Sequence, residues 1–575
     1  MRKLVISMLC LTLLVGMVFA VGARAADIKP VAVVSLSGYD NILEDIELVG
    51  ELSGRPHLRM VAEGLVVVVT KGQGPAGLDK KRPWGMLVGT DGKNVGGCSF
   101  VPVTDLDKLM SVAKGWDKDR IKKTDNGIYE IKTRRKTLYV QETHKGWAFI
   151  VDNKDLFQYV PANPARLLSG LNVRYDIAAR IYVANIPLEC REKMCDELQK
   201  RMQKMTEQHK KKHKPGRHLD KCKEIAEHLH QHMKKHVKDI EQVTLGWSLD
   251  NDLRQCVAEV SVVAKKGTKL AKQFSQLGGT RTNFGGFELP ETAISGRITS
   301  RYQVPEAKHL DKMIDHMRAK AYKKIDKNGK AAEHAKVARK VVDTILDVVK
   351  KTAASGHLDC AAAVSLDEEA ATLIAGRYVA DGPKLESAVK MAVNVIRKKH
   401  PECIAKTVKL DAGRYRGVNL HVATIPITDK CPKKKQVVEA MGENLEIVLG
   451  IGPKAVYLAT GRDAMVSLKQ AIQKSQQNRR WTVPPMEFTL SLEELLEYAE
   501  EFGPPKCREA ADKADDAMEK AYGRNSIRVV ALPSGRSVTL RMELDEGVLR
   551  AMSSMKHHKW PGRDSKCTKK QCDKK

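Results

Sequence analysis

The sequence predicts an α+β protein of two similar halves, each a mostly antiparallel sheet covered by helices on one face, with inserted helical hairpins. Three observations carry this prediction. Apolar strand-like runs and amphipathic helix-like segments succeed one another along the chain, as layered α+β domains require. The same order of segments occurs twice. Turns such as "DND" and "PSG" join neighbouring β-rich runs into antiparallel hairpins.

The chain has 575 residues, enough for several domains at about 150 residues each. It opens "MRKLVISMLCLTLLVGMVFAVGARAAD". Arg2 and Lys3 precede an apolar stretch over 4–20, and Ala23, Arg24 and Ala25 make a small-x-small cleavage signal. Residues 1–25 therefore read as a signal peptide. Cys10 has no small residue before it, which argues against a lipoprotein signal. No later run approaches the roughly 20 apolar residues of a membrane-spanning helix. The expectation is an exported protein, periplasmic or extracellular, with no transmembrane helix in the mature chain.

The first half is placed at 26–280 and the second at 281–555. "AVVSLSGYDNILEDIELVG" (32–50) is matched with "CAAAVSLDEEAATLIAG" (360–376), and "PVTDLDKLMSVAKG" (102–115) with "ADGPKLESAVKMAV" (380–393). The strand-like "NGIYEIKT" and "RGVNLHVATI" correspond next. "KGWAFIVDNKDLFQYV" then answers to "PKAVYLATGRDAMVSLKQAI", each a strand, a polar turn and an amphipathic helix. "YDIAARIYVANIP" answers to "MEFTLSLEELLEYA", and the hairpin of 243–263 to that of 527–544. Two stretches interrupt the plan. One is the Lys/His-rich helical insertion 196–240, broken at Pro215 and Gly216. The other is a helical hairpin over 305–351, whose apolar stripe includes Leu310, Ile314, Val341, Ile345 and Val348 at helical spacing. Residues 556–575 form a basic tail of disordered composition.

Lysine and arginine total 99 against 70 acids, a net charge of +29. A surface so charged attracts polyanions, and export points to an anionic envelope polymer or a lipid surface. No nucleic acid is expected, because no basic stretch is interleaved with stacking aromatics. Twelve cysteines are present, one within the signal segment, and none forms a C-x-x-C pair. Thioredoxin-like chemistry and zinc ribbons thus lack their local signature.

The catalytic templates fail in turn. "GQGPAG" (72–77) fits G-x-G-x-x-G, but Pro83 and Gly85 oppose the helix that must follow a dinucleotide-binding turn. The expectation is a loop leading into a strand near Met86. No G-x-S-x-G or H-E-x-x-H occurs, and "SVAK" (111–114) lacks the partner motifs of S-x-x-K enzymes. The chain is therefore read as non-catalytic, with no cofactor. The strongest local signal is "HLDKCKEIAEHLHQHMKKHVKDI" (218–240). There His228, His232 and His236 recur every four residues, along one helix stripe. Imidazoles so spaced can chelate Zn or Cu weakly.

"GLDKKRPWGMLVGTDG" (77–92), "FVPVTDL" (100–106), "GWAFI" (146–150) and the opening "VAVVSLSGYDNILEDIELVGELSG" resemble an uncharacterised family of exported proteins from planctomycete-type bacteria. The resemblance covers most of the chain. It implies export and a two-half α+β architecture, and it carries no catalytic residues. This chain departs from the family in its wealth of lysine and cysteine. The resulting expectation is an exported binding or structural protein of the cell envelope. Two other readings stand beside it: a metal-binding envelope protein using the His-rich helix, and an exported hydrolase whose site assembles only in three dimensions.

Overall fold

Strands form where β-branched, aromatic and small apolar residues run together between turn residues. The computed structural model describes residues 29–555 apart from 91–94, 115–119, 134–135, 145, 213–226, 228–229, 232, 290, 303, 305–306, 328–331, 367–370, 400–406, 428–437, 439–441, 479–480 and 522–524. The predicted signal peptide and basic tail lie outside the described residues. The chain is mixed helix and strand, and every strand pairing described residue by residue is antiparallel. It divides into two compact units. The first runs as far as Phe274 and includes Ser534–Arg541; the second is Ser275–Pro533 with the chain from Met542 onward.

In chain order the first unit contains β1 (Lys29–Leu36), α1 (Tyr39–Leu52), α2 (Leu58–Val69), β2 (Trp84–Thr90), β3 (Val95–Pro102) and α3 (Leu106–Lys114). There follow β4 (Ile121–Lys123), β5 (Tyr129–Lys132), β6 (Thr137–His144), β7 (Trp147–Val151), α4 (Pro164–Leu168) and β8 (Ile177–Ile181). It ends with α5 (Leu188–Lys212), β9 (Ile240–Asp250), β10 (Gln255–Ala264) and α6 (Lys269–Ser275). Pairing places the strands in the order β4-β5-β6-β7-β3-β2-β1-β8-β9-β10.

The second unit contains β11 (Thr292–Arg301), α7 (Ala307–Lys327), α8 (Ala332–Ala354), β12 (His357–Leu366), β13 (Ala371–Tyr378) and α9 (Gly382–Lys399). Then come β14 (Val408–Tyr415), β15 (Val418–Pro426), β16 (Asn444–Gly452), β17 (Ala455–Gly461), α10 (Ala464–Gln477) and β18 (Met486–Ser491). The last elements are α11 (Leu492–Phe502), α12 (Pro505–Met518), β19 (Ser526–Ser534), β20 (Ser537–Leu544) and α13 (Glu546–Met555). The strands pair in the order β14-β15-β16-β17-β13-β12-β11-β18-β19. β20 pairs along β10, and its residues as far as Arg541 belong to the first unit.

Helices on one face alone do not describe the first unit. Alternate residues of β3 and β7 enter two different cores. Cys98, Phe100, Trp147, Phe149 and Val151 join Leu168 and Leu171 on one side. Ala148 packs with Leu106 and Met110 of α3 on the other, where Val101 and Ile150 border the same core. The unbroken run "WAFIV" is the sequence sign of a strand buried on both faces. In the second unit the principal core gathers Phe284, Ile374, Leu420, Tyr457, Leu468 and Ile472 beneath α10.

Buried charge is paired in both units. Glu259 of β10 is almost wholly buried and accepts from Tyr175, from Arg174 at 2.9 Å and from Arg541 at 2.6 Å. Burial, and then the bond to Glu259, pushes the Tyr175 hydroxyl up to about 12. Glu487 of β18 is held by Arg297 across the β11–β18 pair and by Arg528 at 2.8 Å.

"GQGPAG" is a loop, and the next strand, β2, covers Met86. α2 ends before it, with the Gly72 N–H donating to the Val67 carbonyl at 2.8 Å and φ +90. Gly77 has φ +81 and accepts from the N–H of Thr104 at 2.9 Å, which seats the start of α3 against this loop. A Cβ at Gly77 would lie 2.3 Å from the Asp105 carbonyl oxygen, so only glycine fits. Among the described residues no helix is long and apolar enough to cross a membrane.

Candidate functional site

In the second unit, α9 lies over the outer hairpin β14–β15, and a polar cluster spans them, with His421 and Glu386 largely covered and Asp411 exposed. Asp381 starts α9: its carboxylate accepts from the N–H of Lys384 at 3.1 Å, satisfying one of the unpaired donors of a helix N-terminus. Glu386 and Lys390 follow four residues apart, hence on one face of α9. β15 alternates: Val418 and Leu420 enter the main core, which turns Asn419 and His421 toward the other face.

β14 carries the remaining member. Its register slips between Lys409 and Gly413, which pair with Val422 and Leu420. Three residues of β14 therefore stand opposite His421 alone. In this bulge Asp411 has φ +52, a left-handed conformation that aspartate tolerates better than most residues. Its backbone N–H is thereby aimed at the ring of His421 and donates to Nδ1 at 3.0 Å.

The charges interlock. Lys390 Nζ stands 2.8 Å from Glu386 Oε1 and 2.8 Å from Asp411 Oδ1. Asn419 Nδ2 donates to Glu386 at 3.1 Å. His421 is 4% exposed. Its Nε2 is 3.6 Å from Glu386 Oε1 and has no hydrogen-bond partner, while Nδ1 is 4.0 Å from Asp411 Oδ1. Burial holds the His421 imidazole below its ordinary pKa and outweighs the pull of the two carboxylates. Burial would raise Glu386, but hydrogen bonds from Lys390 and Asn419 leave it lowered. Asp411 is lowered by Lys390, and Lys390 is raised first by Asp411 and then by Glu386.

Glu386, Asp411 and His421 each offer a donor atom within 4.8 Å of the other two, which invites a metal ion. Two features oppose one. The ammonium of Lys390 already fills the cation position between the carboxylates. The bond from the Asp411 N–H makes Nδ1 an acceptor, so the proton of the neutral ring sits on Nε2, and neither nitrogen offers a free lone pair inward.

The first unit has its own polar feature at α3 and the outer strands, an open cleft of about 470 Å³ lined in part by Asp105, Asp107, Lys123, Gln141 and Glu142. Asp107 accepts from Tyr129 Oη at 2.7 Å and from Lys123 Nζ at 2.7 Å. Glu142 accepts from the Gly146 N–H at 2.7 Å. In this cleft Asp107 is ion-paired with Lys123, and Glu142 is held by a backbone amide.

Of the histidines singled out by spacing, His228 and His232 lie outside the described residues. His236 ends its helix just before Val237, which packs with Val183 and Cys195. His230, off the predicted stripe, pairs with Asp196 of α5 at 3.0 Å. The described cysteines 98, 190, 195, 256, 360 and 507 are free thiols. Burial pushes the Cys98 thiol up to about 12, which leaves it protonated and unreactive. The His421 cluster escaped sequence reading because its members share no motif. The available signal was a histidine within the alternating apolar run "VNLHVATI".

No protein-family profile, curated protein or solved structure matches the chain.

Proposed function

We propose that the protein is an exported, non-catalytic binding protein of the cell envelope whose two units are copies of one plan. The observation that supports it most is the strand order. Nine strands of each unit follow one sequence of pairings, with β4 answering to β14 and β9 to β19. The registers agree in detail. Thr90 pairs with Val95 across four residues, as Leu366 does with Ala371. Pro102 pairs with Trp147 as Tyr378 does with Ala455, so Trp147 answers to Ala455, one place from Val456. Between these anchors Val103, Asp105, Lys108, Leu109, Ser111 and Lys114 fall without insertion on Val379, Asp381, Lys384, Leu385, Ser387 and Lys390. On this reading neither helical interruption is an insertion. α7 and α8 answer to α1 and α2, and α11 and α12 to α5 and the helical turn before β9. β1 answers to β11, and the opening segment of the first half to a stretch earlier than 360–376.

The copies differ where α3 and α9 cover their outer strands. Met110 and Tyr129 sit in an apolar core in the first unit. Glu386 and His421 take their places in the second. A core position that has become polar and internally charged in one copy marks where that copy has acquired a task of its own. The closed ion pairs of both units, together with the net charge of +29, favour binding of an anionic envelope polymer or surface over turnover.

The test uses the exported, mature protein. Native mass spectrometry should find it carrying a non-covalent anionic ligand. Dextran sulfate, as a probe, should bind with an affinity that falls steeply with salt. Failure of both would overturn the binding reading. Hydrolysis of an ester, phosphate or glycoside panel, abolished by Glu386→Gln, would overturn the non-catalytic one.

A further inference from the structure

We propose that Glu386 and Asp411 form one seat for two rival cations, Lys390 at neutral pH and protonated His421 in acid, and that the exchange releases the β14 bulge. The geometry supplies both occupants. Lys390 Nζ bridges the two carboxylates at 2.8 Å each. The two ring nitrogens of His421 face the same two groups, Nε2 at 3.6 Å from Glu386 and Nδ1 at 4.0 Å from Asp411. Small movements bring both within hydrogen-bond range.

The neutral state is held by one bond that protonation destroys. Nδ1 accepts from the Asp411 N–H. A proton taken from solvent must go to Nδ1, since Nε2 already carries one. The imidazolium then has two N–H donors and no acceptor. Nε2–H donates to Glu386, ending its isolation, and Nδ1–H donates to the Asp411 carboxylate. Lys390 keeps its proton but meets a like charge. It lies 35% exposed, so it leaves toward solvent. Asp411, having lost the acceptor that fixed its N–H, leaves the φ +52 conformation for the extended region, and the outer strand changes register or frays.

The charged groups around His421 are Glu386 and Lys390 from α9 and Asp411 from β14. Asn419 of its own strand binds Glu386, and β16 opposes it with Leu449. The exchange thus needs only these four side chains and the bulge. It stands apart from the ligand-binding reading, since it invokes no ligand.

The experiment measures histidine C2-hydrogen exchange and backbone amide exchange by mass spectrometry on the full mature protein, from pH 4.5 to 8. Removing the rival cation in Lys390→Met should raise the His421 midpoint by about one unit, tenfold in proton affinity. Lys390→Arg should leave it near wild type, and Glu386→Gln should lower it. Amide exchange over residues 407–416, corrected for intrinsic rates, should rise at least about tenfold across the midpoint, and the step should follow the midpoint in Lys390→Met. If that variant does not fold, Lys390→Gln takes its place. A midpoint indifferent to removal of the Lys390 charge overturns the proposal. So does protection of 407–416 that passes unchanged through the titration.

Discussion

The backbone N–H of Asp411 donates to Nδ1 of His421 across 3.0 Å, joining a left-handed residue in an edge-strand bulge to a buried ring. The bond requires a neutral imidazole, and burial favours one. The unfolded chain takes up a proton near pH 6.5, above the point at which the folded ring does. Below that value the unfolded state binds more protons, so stability rises with pH and is lost as pH falls. Relative to His421→Gln, the wild type should therefore weaken from pH 7.5 to 5, by up to about 1.4 kcal/mol per unit within the window. Urea unfolding of both proteins at several pH values checks this; a difference constant with pH contradicts it.

Removing Glu487 leaves Arg297 without its counter-charge, while Arg528 keeps Glu543 at 3.0 Å. Glu487→Gln should destabilise the second unit by about 3 kcal/mol, the scale for breaking one side of a buried pair. Replacing Arg297 by Met in the same chain should recover part of the loss. Guanidinium unfolding of the single and double variants reads both effects.

Two glycines of the loop after α2 should differ. Gly72 and Gly77 both have positive φ, but a Cβ meets nothing within 4 Å at Gly72 and the Asp105 carbonyl at Gly77. Gly72→Ala should cost about 1 kcal/mol for the backbone alone. Gly77→Ala should cost more and loosen the start of α3, seen as a lower Tm.

The predicted cleavage site places Ala26 at the mature N-terminus. Edman sequencing or intact mass of the exported protein should show loss of residues 1–25. A retained N-terminal segment would make residues 4–20 an anchor instead.

The histidine stripe is open to calorimetry. Zinc or copper should bind at most weakly at neutral pH, and binding should be lost as the imidazoles protonate below about pH 6.5. Replacing His228, His232 and His236 by alanine should abolish the heat; unchanged heats would remove the stripe as a site.

Local chemistry made most elements legible. The acid-started helix at Asp105, the apolar run at Trp147 and the hairpin near Asp250 all follow from short-range preference and are present. Pairing was less legible. Strand β1 looked like β12 because "AVVSL" and "AAAVSL" share apolar character, and composition cannot say which neighbour a strand takes. The His421 cluster was illegible for a similar reason. Glu386, Asp411 and His421 meet only because α9 crosses a hairpin, and because a bulge turns one backbone N–H inward.

The strand segment Ser534–Arg541 sets a schedule for folding. Arg536 donates to the Ala264 carbonyl from 272 positions away. At about 5–20 residues per second, synthesis leaves roughly 15–50 s between the appearance of one and the other. During that interval the outer edge of β10 has no permanent neighbour, and an uncovered edge invites pairing with the wrong chain. A truncation that ends before residue 534 would injure the half of the molecule that was made first.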